Sequence, residues 1–209
     1  IFVTDLKDGH IKIYVSNGNL IKVWGWKRAG PNEFLAPFFS DYRDGLLAVM
    51  DFGKRNVCIL ERLGKFDLKV KKELYCRNRG NDIFLFSNKV FIAGFIGTQD
   101  EPHMFYSMEM GSEKKDYLLP LADKYGVESY QDYLKKDQNT QRFRMLSPVS
   151  YCAVHGDYAY LVWHADLKIF KININTKEHT TFGHKTANYV QPFPSKKLEQ
   201  ARIARDRNG

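Results

Sequence analysis

Apolar and polar residues alternate with a period of two through HIKIYV and NVCIL, the pattern of β-strands with two distinct faces. Shifted by 46 residues, the chain matches itself: IFVTDLKDGHIKIYVSNGNL lies over LAVMDFGKRNVCILERLGKF without a gap. Asp5 meets Asp51, Ile11 meets Val57, Ile13 meets Ile59 and Gly18 meets Gly64. Each copy reads as an apolar strand ending in Asp, a polar turn, a second strand, a Gly turn and a third strand. The turns at Asn17-Gly18 and Leu63-Gly64 supply a residue that tolerates positive φ, as tight hairpins require. Two looser copies follow, one in KVFIAGFI and HMFYSMEM, the other in YAYLVWHADLKIFKININTKEH.

Val3, Val49, Ile92 and Val162 mark equivalent apolar strands 43 to 70 residues apart. Antiparallel strands recurring at such a period predict an all-β fold, a β-propeller of four-stranded antiparallel blades. One such sheet cannot cover both its faces alone, and stacking blades around an axis covers them. The second blade parses in full as PFFSDY, GLLAVMD, RNVCILE and KFDLKVKK. The first begins at its second strand, IFVTD; the third and fourth start near NDIFLFS and SPVSYCAV; YVQPF is read as the start of a fifth. Residues 111–146 are expected to form an insertion between blades three and four. Tyr130 and Leu134, four apart in GVESYQDYLKKD, suit a short amphipathic helix within it.

Residues 24–66 carry a more specific pattern. WGWKRAGPNEFLAP followed by DGLLAVMDFGKRNVCILERLGKF resembles the NHL-type repeat and the related bacterial six-bladed propeller family. That pattern runs G-x-G-P-x-E-F-x-x-P, then D-G-x-apolar-x-V-x-D, then N-R-apolar-x-apolar-F and G-K-F. Ala29 replaces a usual small loop residue, and the N-R pair is inverted as Arg55-Asn56. Farther along, the likeness rests on strand rhythm. The resemblance implies a ring of roughly 250 to 330 residues, so the 209 residues are expected to be about four blades of a larger, six-bladed ring in a single, incomplete domain. It also implies an extracytoplasmic, exported setting.

Hydrophobic residues make up 44% of the chain, enough for a substantial core. No apolar run approaches the roughly 18 residues of a membrane helix. Cys58, Cys76 and Cys152 form no CxxC, so the thiols read as small apolar residues with room for at most one disulfide. The net charge is +8, and the excess is uneven. Residues 62–79 hold seven Lys or Arg against Asp67 and Glu73, and residues 185–209 hold six against Glu199 and Asp206. Such stretches attract nucleic acid or acidic partners. Lysines also blunt exposed sheet edges.

No P-loop, GxGxxG, HExxH or GxSxG motif occurs, and none of the six histidines pairs with another His or a Cys at helical ligand spacing. By likeness to propeller hydrolases, Asp41, Asn81, Asp82 and Glu33 would be the metal candidates. Asp41 precedes the Asp44-Gly45 turn, where an Asx turn accounts for it equally well. Asp5 and Asp51 recur at equivalent places. Chemistry happens once per ring, so they read as turn-capping carboxylates. No metal and no cofactor is expected.

Trp24 and Trp26 fall on one face of a strand end, and Lys27 and Arg28 follow at once. Trp26, Lys27 and Arg28, with Arg77 and Arg79 on a later crossing, are the binding candidates. Gly30, Pro31, Glu33 and Phe34 read as structural: the glycine and proline turn the chain between blades, Glu33 accepts loop N–H bonds and Phe34 plugs the gap. The chemistry favours a non-catalytic scaffold that recognises a protein, peptide or glycan through rim loops and the insertion. The alternatives are a metal-dependent hydrolase or lyase of the channel, and an RNA-binding propeller of the NHL type.

Overall fold

The computed structural model describes residues 1–28, 30, 32–76, 80, 82–97, 102–112, 114–120, 150–163 and 168–183. They build fifteen strands in four antiparallel meanders that follow one another along the chain. Sheet one holds β1 (Phe2–Asp5), β2 (His10–Tyr14) and β3 (Leu20–Trp24). Sheet two holds β4 (Pro37–Arg43), β5 (Leu46–Asp51), β6 (Asn56–Leu63) and β7 (Asp67–Tyr75). Sheet three holds β8 (Asp82–Phe86), β9 (Lys89–Gly97), β10 (Pro102–Glu109) and β11 (Lys115–Pro120). Sheet four holds β12 (Ser150–His155), β13 (Tyr158–Trp163), β14 (Lys168–Asn173) and β15 (His179–Phe182). The architecture is that of propeller blades, as the repeat predicts.

The 46-residue repeat explains why sheet one has three strands among the described residues. It aligns β1 with β5, β2 with β6 and β3 with β7. The stretch from 111 to 120, expected to open an insertion, instead supplies a turn and β11, the fourth strand of sheet three. Its LL pair alternates with polar residues too weakly to announce a strand. The proposed helix around Tyr130 and Leu134, and the fifth-blade start YVQPF, lie outside the described residues.

The core consists of layers between sheets, and the period of two decides which residue enters which layer. Leu47 and Val49 of β5, with Cys58 and Leu60 of β6, pack toward Ile11 and Ile13 of sheet one. Their neighbours Ala48, Met50, Val57 and Ile59 project from the opposite face toward Ile83, Leu85, Val90 and Ile92 of sheet three. Both faces are buried, so the middle strands are apolar throughout. The outer strand β7 alternates instead, with exposed Lys69 and Lys71 between buried Leu68 and Leu74. Sheets three and four meet through Phe84, Phe91 and Phe105 against Leu161, Phe170 and Ile172. Phe84 and Phe91 stack with centroids 4.7 Å apart. The two glycines that the repeat singles out take positive φ at the hairpin tips, 88° at Gly18 and 65° at Gly64.

The innermost strands are also tied across blades. Asp41 lies within β4, and its Oδ2 accepts the backbone N–H of Leu85 on β8 at 2.7 Å. An Asx turn is therefore not its role. One sheet on, Asp82 Oδ2 accepts the N–H of Cys152 on β12 at 2.9 Å. An innermost strand has one edge without a strand partner, and these carboxylates satisfy N–H groups on that edge.

Two measurements test this layer assignment. Ile59→Ala, which opens the layer between sheets two and three, is expected to cost about 2–5 kcal/mol in urea unfolding, whereas Leu63→Ala at the exposed end of the same strand changes stability by less than about 0.5 kcal/mol. Asp82 supplies a pH test. Burial is the main cause that raises its carboxyl above the ordinary range, against the opposing pull of the Cys152 and Ile83 N–H groups. A raised carboxyl contributes stability at acid pH that is lost as pH climbs through the folded-state pKa. Asp82→Asn keeps an acceptor for Cys152 but removes the charge. Its stability relative to the parent is expected to rise from about pH 4, near the unfolded carboxyl value, to pH 7; a flat difference would contradict the assignment.

Candidate functional site

The segment from Gly25 to Ala36 carries the chain from the outer strand of sheet one to the inner strand of sheet two. It lies on the face that also bears the turns Asp5–Gly9 and Asp51–Arg55, because an antiparallel meander returns there after every second strand. Asp51 fixes it. This fully buried carboxylate accepts four backbone N–H bonds: Leu35 at its Oδ2 (2.8 Å), and Ala36 (2.9 Å), Gly53 (2.8 Å) and Lys54 (3.1 Å) at its Oδ1. Two donors belong to the crossing and two to the turn after β5, so one side chain locks the two together. Gly53 makes the close approach possible, since a Cβ there would sit 2.3 Å from that of Leu35.

Asp5, its counterpart, plays the same turn role with less reach. Its Oδ1 accepts Lys7 N–H at 3.0 Å and Asp8 N–H at 3.1 Å, while its Oδ2 meets Lys12 Nζ at 2.5 Å. The bond from Lys12, then the Asp8 N–H, holds the Asp5 carboxyl below its ordinary value.

Inside the crossing, Glu33 Oε2 accepts the Gly30 N–H at 2.6 Å, and Lys54 Nζ donates to Gly30 O at 2.8 Å. Phe34 is buried among Ile11, Leu47 and Val49 in the layer between sheets one and two. Its N–H returns to Trp26 O at 2.8 Å, and a bridge pairs Lys27 with Phe34. Pro31 lies outside the described residues, as do Arg77 and Arg79 of the next crossing.

The two tryptophans do not share a face. Trp24 is half-buried against Phe34, ring centroids 5.9 Å apart, and its indole N–H donates to Leu68 O at 3.1 Å. Gly25, at φ 85°, breaks the alternation after the strand and turns Trp26 outward. Trp26 is 69% exposed, with the His10 ring edge-on to it at 5.9 Å. Lys27 Nζ spans to Lys7 O at 2.7 Å. Arg28 is exposed beside them. The structure therefore gathers Trp26, Lys27 and Arg28 on one solvent-facing tip.

Of the described metal candidates, Asp41 and Asp82 lie near one another on neighbouring inner strands, where Asp41 adds to burial in raising the Asp82 carboxyl, and Glu33 sits apart in the crossing. Asp41 and Asp82 are each bonded to the neighbouring blade's backbone; Asn81 lies outside the described residues. No group of three or more His, Cys, Asp or Glu is placed to hold a metal among the described residues. Cys58, Cys76 and Cys152 form no disulfide among the described residues. Burial pushes the Cys58 thiol up to about 12, and the Cys76 Sγ sits 2.8 Å from the Tyr106 hydroxyl. None has the exposed, electropositive setting of a reactive cysteine. On the opposite, hairpin face a cleft of about 350 Å³ opens between sheets one and two, beside Tyr14, Asp41, Tyr42, Arg62 and Phe66. Sequence reasoning did not anticipate the clips made by Asp41 and Asp82. Their signal was a lone carboxylate within each inner strand.

No protein-family profile matches the chain, and no curated protein matches it. Among solved structures it is similar to that of a candidate exported protein of Bacteroides fragilis, with TM-score 0.51 and 10% identity over 87% of this chain and 67% of that one. The β-propeller domain of Myceliophteria thermophila Cps50 (Swd1) gives a TM-score of 0.49 and 12% identity, over 88% of this chain and 55% of that one. Saccharomyces cerevisiae Sqt1 gives 0.41 and 7%, over 86% and 40%. The chain thus spans about half or less of the length of the last two. At these identities the likeness is one of fold.

Anchor and tip should separate in mutants. Asp51→Ala leaves several buried N–H groups without an acceptor and is expected to cost about 3–5 kcal/mol in urea unfolding, or to prevent folding. Trp26→Ala is expected to stay within about 0.5 kcal/mol of the parent. Comparable losses in the two would show that Trp26 is part of the anchor.

Proposed function

We propose that this chain is a non-catalytic β-propeller scaffold that recognises a protein, peptide or glycan partner through the loops at its blade crossings. The observation that carries the reading is the Trp26 indole, 69% exposed on a loop whose base is fixed by Asp51 and Phe34. A large aromatic held in solvent by a rigid frame loses little conformational entropy on binding, the property that makes aromatic anchors effective. Lys27 and Arg28 add charge beside it. Arg77 and Arg79, on the next crossing, are proposed as a second contact.

In this reading the chain is four blades of a six-bladed ring of the NHL-like bacterial type, and it works outside the cytoplasm. The motif of residues 24–66 supports the family, since its Glu, Phe and Asp are the residues that tie the crossing together. The exported description given to the Bacteroides fragilis protein is in keeping with that setting. No helix among the described residues is long and apolar enough to cross a membrane.

Peptide and glycan arrays probed with the parent and with Trp26→Ala test the reading. Discrete ligands that disappear in the variant, with thermal unfolding unchanged, are expected. Ligands bound equally by both proteins would move recognition away from this loop, and metal-dependent turnover of an ester or lactone panel would replace the scaffold with an enzyme.

A further inference from the structure

We propose that the crossing face at the junction of sheets one and two binds an acidic polypeptide segment carrying a large apolar side chain, a proposal that rests on the scaffold reading above. Four large apolar residues stand exposed on this face: Leu6 at 45%, Trp26 at 69%, Leu35 at 37% and Phe38 at 43%. They do not come from one accidental run. Leu6 belongs to the turn after β1, Trp26 and Leu35 to the crossing, and Phe38 to the start of β4.

Contacts tie these segments to one another. Lys27 Nζ reaches Lys7 O, and Thr4 Oγ1 donates to Phe38 O at 2.9 Å. Leu35 abuts Gly53, and Phe38 stacks on Phe52 with centroids 5.0 Å apart and rings within 11° of parallel. Several large apolar side chains exposed on one face mark interaction sites.

The charges around it select the partner. The carboxylates of the face are largely committed internally: Asp51 to four N–H groups, Glu33 to Gly30, and Asp5 to Lys12 and its own turn. Asp8 is the exposed acid that remains among the described residues of these turns. Lys7, Lys27, Arg28 and Arg55 are exposed here, and none forms an ion pair among the described residues. An apolar centre ringed by uncompensated cations complements carboxylates that flank an apolar side chain. A base can stack on Trp26, but a polynucleotide offers no aliphatic side chain to cover Leu6 and Leu35. The surface therefore favours polypeptide over nucleic acid.

Fluorescence anisotropy with labelled probes tests this on the full chain. The probes are a short peptide in which Glu flanks Phe and Leu, the same peptide with Lys for Glu, the same with Ser for Phe and Leu, and an oligouridylate of matched charge. The Glu-Phe-Leu peptide is expected to bind and to weaken with added salt. Trp26→Ala and Arg28→Glu are each expected to weaken it about tenfold or more, while Lys69→Glu, an equal charge change on outer strand β7, leaves it within about twofold. Equal binding of the Lys or Ser peptide overturns the acidic-apolar partner and leaves the scaffold reading standing, provided Trp26→Ala still abolishes it. Equal losses in Lys69→Glu and Arg28→Glu would reduce the effect to net charge and overturn the site. Binding of oligouridylate alone, or of no probe, overturns the proposal; in the first case it also replaces the polypeptide scaffold with a nucleic-acid binder.

Discussion

The structure depends on a carboxylate with no exposure to solvent. Asp51 must be satisfied where it sits, because a buried charge without partners is prohibitively costly. Its four N–H bonds supply that, and in doing so they fix where the chain leaves one blade and enters the next. The crossing can then place Phe34 between sheets one and two. With that layer closed, the faces of β5 and β6 divide their residues between two neighbours. Blade stacking buries the apolar faces of the middle strands, and carboxylates of this kind add polar ties between segments that follow one another. Asp41 and Asp82 repeat the principle nearer the axis, one carboxylate per junction.

Much of this could be read from the chain because its cause is local. The 46-residue repeat, the Asp at the end of the second strand and the glycine in each hairpin follow from strand period and turn geometry. The roles of Glu33 and Phe34 were legible for the same reason, since the motif packs a loop against its own blade. What escaped was decided by tertiary contact. Asp41 looked like a turn residue because Asp44-Gly45 follows it, yet its partner lies on the next sheet. Trp24 and Trp26 looked like a pair because they are two apart, but positive φ at Gly25 sends their side chains to different environments. Strand β11 gives no strand signal in the sequence, because its apolar residues are adjacent and offer no alternation.

The same frame explains why recognition and stability fall on adjacent residues without being the same. The crossing is half buried and half displayed. Phe34 and the Leu35 and Ala36 amides belong to the frame, and Trp26 and Arg28 belong to solvent. The basic outer strand β7 has a different character. Lys71 lies 3.6 Å from Glu61, and Lys22 pairs with Asp67 across from sheet one. These exposed pairs contribute little stability and partly neutralise that edge. At the crossing the acids are consumed by backbone N–H groups, so the cations beside Trp26 are left available.

The central claim is that the crossing is a rigid frame carrying a displayed tip, and amide hydrogen exchange resolved at single residues tests it most directly. The Leu35 and Ala36 amides, which donate to Asp51, are predicted to exchange as slowly as those of Val57–Leu60 in the core of sheet two. Exchange of Leu35 and Ala36 at the rate of the exposed turn amide of Lys65 would contradict the account, because the crossing would then be a mobile loop with no fixed platform for Trp26.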